Sequence, residues 1–169
     1  MHPWGHIPVQ VWWHRPLRMK PHHPGAGTTS GVTTDIAAML AAYPSEIHRV
    51  PQDVIVRCVQ ECVNCAQACT MCADASLVGP EPVNRAGLTN AAANCGEVAD
   101  LAARVVSRVT GRDDRLTTAV LRACVEACRV CHDECRAHAL NHEYCRVCGE
   151  ACRRCARECR GLLAFVEAA

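Results

Sequence analysis

The chain has 169 residues and a formal net charge of +1 with both signs interleaved, which predicts a single domain and excludes a nucleic-acid footprint or an acidic tail. Aromatic residues make up only 4%, with Phe165 the single phenylalanine, whereas cysteine fills 15 positions, so something other than large rings has to occupy the interior. No apolar run approaches the roughly 18 residues that span a bilayer, and Pro3, Pro8, Pro16, Pro21 and Pro24 break any stretch of the roughly 7–15 apolar residues an export signal needs, which predicts a cytoplasmic protein without membrane partners whose thiols stay reduced.

Residues 1–31 are rich in Pro, Gly, His and Trp with no apolar period and read as a disordered leader. Its histidines, His2, His6, His14, His22 and His23, are given no role. Residues 32–169 read as an all-α domain, an antiparallel up-down-up-down four-helix bundle with a short extra N-terminal helix. Thr34-Asp35 can cap that short helix over 34–43, and Pro44 pushes Tyr43 out of the helical region. Pro51 suits the first turn of a long helix over 51–78, which Gly79-Pro80 stops. Pro82 opens a second over 82–110, with Gly111 as its C-terminal cap. Asp113 or Asp114 caps a third over 113–140, and Asn141 is expected to cap a fourth over 142–167. Connections this short force neighbouring helices to run antiparallel.

The cysteines follow the helical period. Cys58, Cys62, Cys65, Cys69 and Cys72 are separated by four, three, four and three residues, an a/d seam along one face. The same spacing recurs in Cys124, Cys128, Cys131 and Cys135, and in Cys145, Cys148, Cys152, Cys155 and Cys159. The second long helix contributes only Cys95, and Leu88, Ala92, Ala99, Ala102, Val106 and Val109 continue its seam in hydrocarbon. A single buried cysteine is usually a small core hydrophobe. Fourteen in three seams are not explained that way, because Leu or Ile would stabilise each position by roughly 1–3 kcal/mol more. Disulfides along one helix do not fit either: i,i+3 and i,i+4 Cβ atoms are about 5–6 Å apart, and a disulfide needs roughly 3.5–4.5 Å.

An almost all-sulfur lining selects soft ions, copper(I), zinc(II) or an iron–sulfur cluster. Structural zinc needs four ligands gathered tetrahedrally, whereas a helical ladder is expected to offer a continuous strip; copper(I) accepts two or three thiolates and can be bridged along such a strip. Charge points the same way, since 15 thiolates in a dry core need roughly 15 monovalent cations to neutralise them. The reading is a copper(I) container holding many ions on its cysteines, without catalysis. A thiol redox protein and a structural zinc-binding interaction bundle stand as alternatives.

The seams have a direction. One end has no cysteine and is expected to be an apolar plug of Val54, Val105, Val109, Leu116, Val120, Leu121, Leu162 and Val166. At the other end His138 lies three residues after Cys135 and His142 three before Cys145, so both are candidate ligands that pass ions in or out. His132 and Met71 sit beside the seams and are read as flanking residues.

The stretches Cys58-Val-Gln-Glu-Cys62-Val-Asn-Cys65-Ala-Gln-Ala-Cys69, Cys124-Val-Glu-Ala-Cys128-Arg-Val-Cys131-His-Asp-Glu-Cys135 and His142-Glu-Tyr-Cys145-Arg-Val-Cys148-Gly-Glu-Ala-Cys152-Arg-Arg-Cys155 resemble the four-helix-bundle copper storage proteins of the cytosolic branch, over about residues 33–167. The resemblance implies cuprous ions held by cysteine pairs inside the bundle, a homotetramer, and copper storage or protection; a copper chaperone or efflux system is a candidate partner. Ser76, Leu88 and Ala99 stand where members tend to carry further cysteines, which implies a lower capacity.

Overall fold

The computed structural model describes residues 34–43, 50–78 and 86–168, within a compact unit that spans Gly31–Ala169. The leader expected over 1–31, and the expected helix-ending or helix-opening positions Pro44, Gly79-Pro80 and Pro82, lie outside the described residues. Five helices are present: α1 Thr34–Ala41, α2 Gln52–Ala75, α3 Ala86–Ser107, α4 Asp114–His138 and α5 Glu143–Glu167. The described residues contain no strand, and none of their helices is long and apolar enough to cross a membrane.

The four long helices form an all-α bundle in which α2 and α4 each pack against α3 and α5, while α1 lies against α2. Cross-helix pairs give the direction. Glu61 meets Arg154 and Arg57 meets Glu158, so α2 and α5 run antiparallel. Cys65 meets Cys128 and Cys69 meets Cys131, so the diagonal helices α2 and α4 run parallel.

Local chemistry explains the α3–α4 turn and the start of α5. Asp113 is the N-cap of α4, its carboxylate accepting from the backbone N–H groups of Arg115 at 2.9 Å and Leu116 at 3.0 Å. The α3–α4 turn is made possible by Gly111, whose φ of 64° is the one positive value among the described residues. Asn141 does not cap α5. Its N–H donates to the His138 carbonyl at 3.1 Å, which closes a turn and leaves His142, extended at φ −135°, as the N-cap.

The plug forms, with two corrections. Leu40, Val50, Ile55, Val109, Leu121, Leu162, Leu163 and Val166 are all buried at or beyond the ends of the cysteine seams. Leu116, however, is 55% exposed. Three and four residues back from Cys124 the a/d seam passes through Leu121 and Thr117, so Leu116 faces out and Thr117 is buried, its hydroxyl donating to the Asp113 carbonyl at 2.8 Å. On α2, three residues back from Cys58 is Ile55, which is 2% exposed, and Val54 beside it is only half-buried.

Most ion pairs on the outside close within one helix: Arg57–Asp53, Arg104–Asp100, Arg129–Asp133 and Arg146–Glu150 are all i,i+4. Between helices, Glu61–Arg154 and Arg57–Glu158 join α2 to α5, and Arg122–Glu167 joins α4 to α5. Among the described residues no ion pair joins α3 to another helix.

Candidate metal centre

All fifteen cysteines are free thiols, and none is more than 2% exposed. The heptad spacing turns the three long seams inward. Because the facing residues of α3 are Ala92, Ala99 and Ala102, all fully buried, the backbones come close enough for sulfurs to meet on the bundle axis. Sulfurs touch across adjacent helices, as in Cys62–Cys159 at 3.6 Å and Cys124–Cys155 at 3.7 Å. They also touch across both diagonals, Cys65–Cys128 at 3.8 Å and Cys95–Cys152 at 3.9 Å. The spacing of Cys65 and Cys69 on one helix is likewise 3.8 Å. The single cysteine of α3 is therefore no outlier: Cys95 sits beside Cys65, Cys128 and Cys152, where all four helices contribute sulfur.

The expectation that the ladder offers only a strip needs correcting. Three groups of four sulfurs close on themselves, Cys62/Cys124/Cys155/Cys159, Cys65/Cys69/Cys95/Cys152 and Cys69/Cys131/Cys148/Cys152, with all members within 4.8 Å of one another. Two groups of three, Cys65/Cys128/Cys155 and Cys72/Cys135/Cys148, do the same. Heptad spacing alone shows a seam on each helix; which sulfurs of different helices come level depends on the stagger between helices, and sequence spacing does not carry that.

Protons in this core are shared. Hydrogen bonds from Cys159 and Cys62 bring Cys58 down to about 5. Cys65 and Cys124 are also held low, chiefly by hydrogen bonds from Cys128 and its neighbours. Others move the other way: Cys155 is pushed up chiefly by its contacts with Cys124 and Cys128, and Cys152 by its contacts with Cys128 and Cys131. Burial pushes the Cys145 thiol up. Ionising all of the buried thiols together calls for cations in the same space.

At the open end, His138 and His142 stand with ring centroids 6.5 Å apart, and His142 stacks on Tyr144 at 5.2 Å. Tyr144 was not singled out in the sequence; its place next to Cys145 at the start of α5 was the available signal. His132 has a structural partner: its Nδ1 lies 3.0 Å from the Gly149 carbonyl across the α4–α5 seam. Gly149 is small for a reason, since a Cβ there would stand 3.3 Å from both the Cys135 Cβ and His132 Nδ1. Met71 is 64% exposed, off the sulfur column.

The profile of one protein family, "Copper storage protein", matches residues 51–164. Among solved structures, the copper storage protein Ccsp from Streptomyces lividans loaded with 10 copper equivalents is 44% identical, covers 77% of this chain and 98% of its own, and superposes with a TM-score of 0.75. A structure of copper loading to a cytosolic copper storage protein from Streptomyces lividans, with five coppers, is 47% identical, covers 66% of this chain and 93% of its own, at a TM-score of 0.65. A variant of the Streptomyces lividans protein in which two histidines four positions apart are replaced by alanine is 44% identical over 70% of this chain and 99% of its own, at a TM-score of 0.68. No curated protein matches the chain.

Proposed function

This chain belongs to the copper storage protein family, and from that premise we propose that its fifteen buried cysteines are the ligands of the copper(I) ions it stores. The observation that carries the assignment is a column in which twelve sulfurs lie 3.6–4.0 Å from a neighbour and Cys72 and Cys135 lie within 4.8 Å of Cys148, all of them buried, with hydrocarbon closing one end. Each thiolate added to that column needs about one monovalent cation nearby. Cuprous ions supply this charge and accept the two or three soft ligands that neighbouring helix turns present. Bridging sulfurs then let one ion sit next to another, so capacity scales with the number of thiols.

Storage asks for binding and release without turnover, and the proposed role contains no catalytic step. A cytosolic setting follows the Streptomyces lividans relative described as cytosolic, and there thiols are kept reduced and available. His138 and His142 are proposed to pass ions between the outside and Cys145, because they stand just beyond Cys135 and just before Cys145, at the end of the seams opposite the apolar plug. Their spacing of four residues equals that of the two histidines replaced in the Streptomyces lividans variant. Assembly into a homotetramer and exchange of copper with a chaperone or efflux system complete the proposal.

Anaerobic titration of the reduced chain against a copper(I)-specific chelator tests the ligand assignment. About 12–15 tightly held ions are expected from one thiolate per ion; a count of three or four would overturn it. Replacing His138 and His142 together with alanine should slow copper uptake while leaving the final count in place. An unchanged uptake rate would remove them from the path.

A further inference from the structure

The four-sulfur groups have a metric property that copper storage does not require. In Cys62/Cys124/Cys155/Cys159, five of the six edges measure 3.6 Å for Cys62–Cys159, 3.7 Å for Cys62–Cys155 and for Cys124–Cys155, 3.8 Å for Cys124–Cys159 and 4.0 Å for Cys155–Cys159. In Cys65/Cys69/Cys95/Cys152, five edges run from 3.6 Å for Cys69–Cys152 to 3.9 Å for Cys65–Cys95, Cys65–Cys152 and Cys95–Cys152, with Cys65–Cys69 at 3.8 Å. A tetrahedral ion with metal–sulfur bonds of about 2.3 Å holds its ligands about 3.8 Å apart, whereas two-coordinate binding with equal bonds would place them about 4.6 Å apart. Thiols in mere contact can reach such distances pairwise. Contact does not require four of them to converge from three helices with no hydrocarbon between.

We propose that the copper-free container takes up zinc(II) as a second, subordinate cargo, one ion in each of two four-cysteine cages. The inference rests on the reading that the buried thiols are free metal ligands. Zinc is borderline-soft, favours tetrahedral all-sulfur surroundings and has no redox chemistry to satisfy. Binding is a proton exchange: one Zn²⁺ enters, four S–H bonds give up their protons, and four Zn–S bonds form. The number of ions follows from overlap. The third group, Cys69/Cys131/Cys148/Cys152, shares Cys69 and Cys152 with the second, so only one of those two can be filled alongside Cys62/Cys124/Cys155/Cys159. The order of preference follows from charge. Four thiolates around one divalent ion leave two negative charges in a core that has no cationic side chain, while one cuprous ion per thiolate leaves none. Copper therefore displaces zinc.

The full chain, reduced and copper-free under anaerobic conditions, is titrated with zinc against a chromogenic zinc chelator, and separately with cobalt(II), whose visible bands report a tetrahedral all-sulfur site. Two ions per chain are expected. Cys159→Ala should leave one, Cys152→Ala should leave one, and Cys95→Ala should keep two because the third group takes over. Added copper(I) should release both zinc ions. Absence of the tetrahedral cobalt spectrum in the unaltered chain, a count that stays at two in Cys159→Ala, or zinc retained under excess copper would each overturn the proposal. Cys159→Ser and far-ultraviolet dichroism of every variant guard against loss of fold, and the unaltered chain decides the matter without any variant. Copper is counted on the same samples: normal copper with no zinc rejects the zinc cages alone, while loss of both rejects the ligand assignment beneath them.

Discussion

Replacing Leu121 with alanine and, separately, Cys155 with alanine should pull stability and capacity apart. Leu121 is fully buried in the plug, beyond the last sulfur of the α4 seam. Its truncation removes three carbon groups at about 0.8 kcal/mol each and leaves a void, for a total of about 3 kcal/mol. For a domain of this size that is a fall in Tm of about 12 °C. Cys155 lies as deep, but its truncation removes one sulfur and should destabilise the metal-free protein by about 1 kcal/mol, or about 4 °C. The copper count should move the opposite way. Cys155 touches Cys62 and Cys124 at 3.7 Å and Cys159 at 4.0 Å, and it closes a three-sulfur group with Cys65 and Cys128. Its loss should release about one to two ions, given two or three thiolates per ion, while Leu121→Ala should release none. Anaerobic thermal unfolding of the metal-free variants, followed by dichroism, and copper counting by chelator competition measure both effects. If Leu121→Ala shed copper as readily as Cys155→Ala, the division into plug and container would be wrong.

Acid should weaken both the empty and the filled form, whereas alkali should weaken only the empty one. Cys145, Cys152, Cys155 and Cys159 are raised above the ordinary thiol value of 9.0. The stability they contribute is present below pH 9 and lost as pH rises, whereas Cys58, lowered to about 5, contributes stability above pH 9 that is lost as pH falls through 5. The urea midpoint of the copper-free protein should accordingly peak near pH 9 and drop on either side of it. That of the loaded protein should hold in alkali and fall only in acid, where protons compete for sulfur; a copper-free midpoint unchanged at pH 10 would contradict the assigned shifts. Ala99, fully buried one helical turn after Cys95, faces the sulfur column, so Ala99→Cys should add about one copper ion at a small overpacking penalty of about 1 kcal/mol. An unchanged copper count would place Ala99 out of reach of the ions.

The helical class, the inward turn of the cysteine seams and the apolar end were legible because each depends on a period along one chain. Fourteen sulfurs at alternating intervals of three and four residues leave only one face to bury. The same rule, carried three and four residues further, places Ile55 and Thr117 rather than Val54 and Leu116 in the plug, because register along the seam decides which side chain turns inward. Asn141 looked like a cap because its residue type favours that role. The α4–α5 turn instead spends its N–H on the His138 carbonyl, a choice set by how the two helices must close. Closed four-sulfur groups and the His132–Gly149 contact depend on the stagger of one helix against another, and no single-helix pattern encodes it.

The outer wall of the bundle is unevenly fastened. Helices α2, α4 and α5 are linked by charge across their seams, while α3 leans on its neighbours through alanines and valines and keeps its Arg104–Asp100 pair to itself. Salt should therefore loosen the α2–α5 and α4–α5 seams while leaving α3, whose seams carry no charge pair among the described residues, untouched.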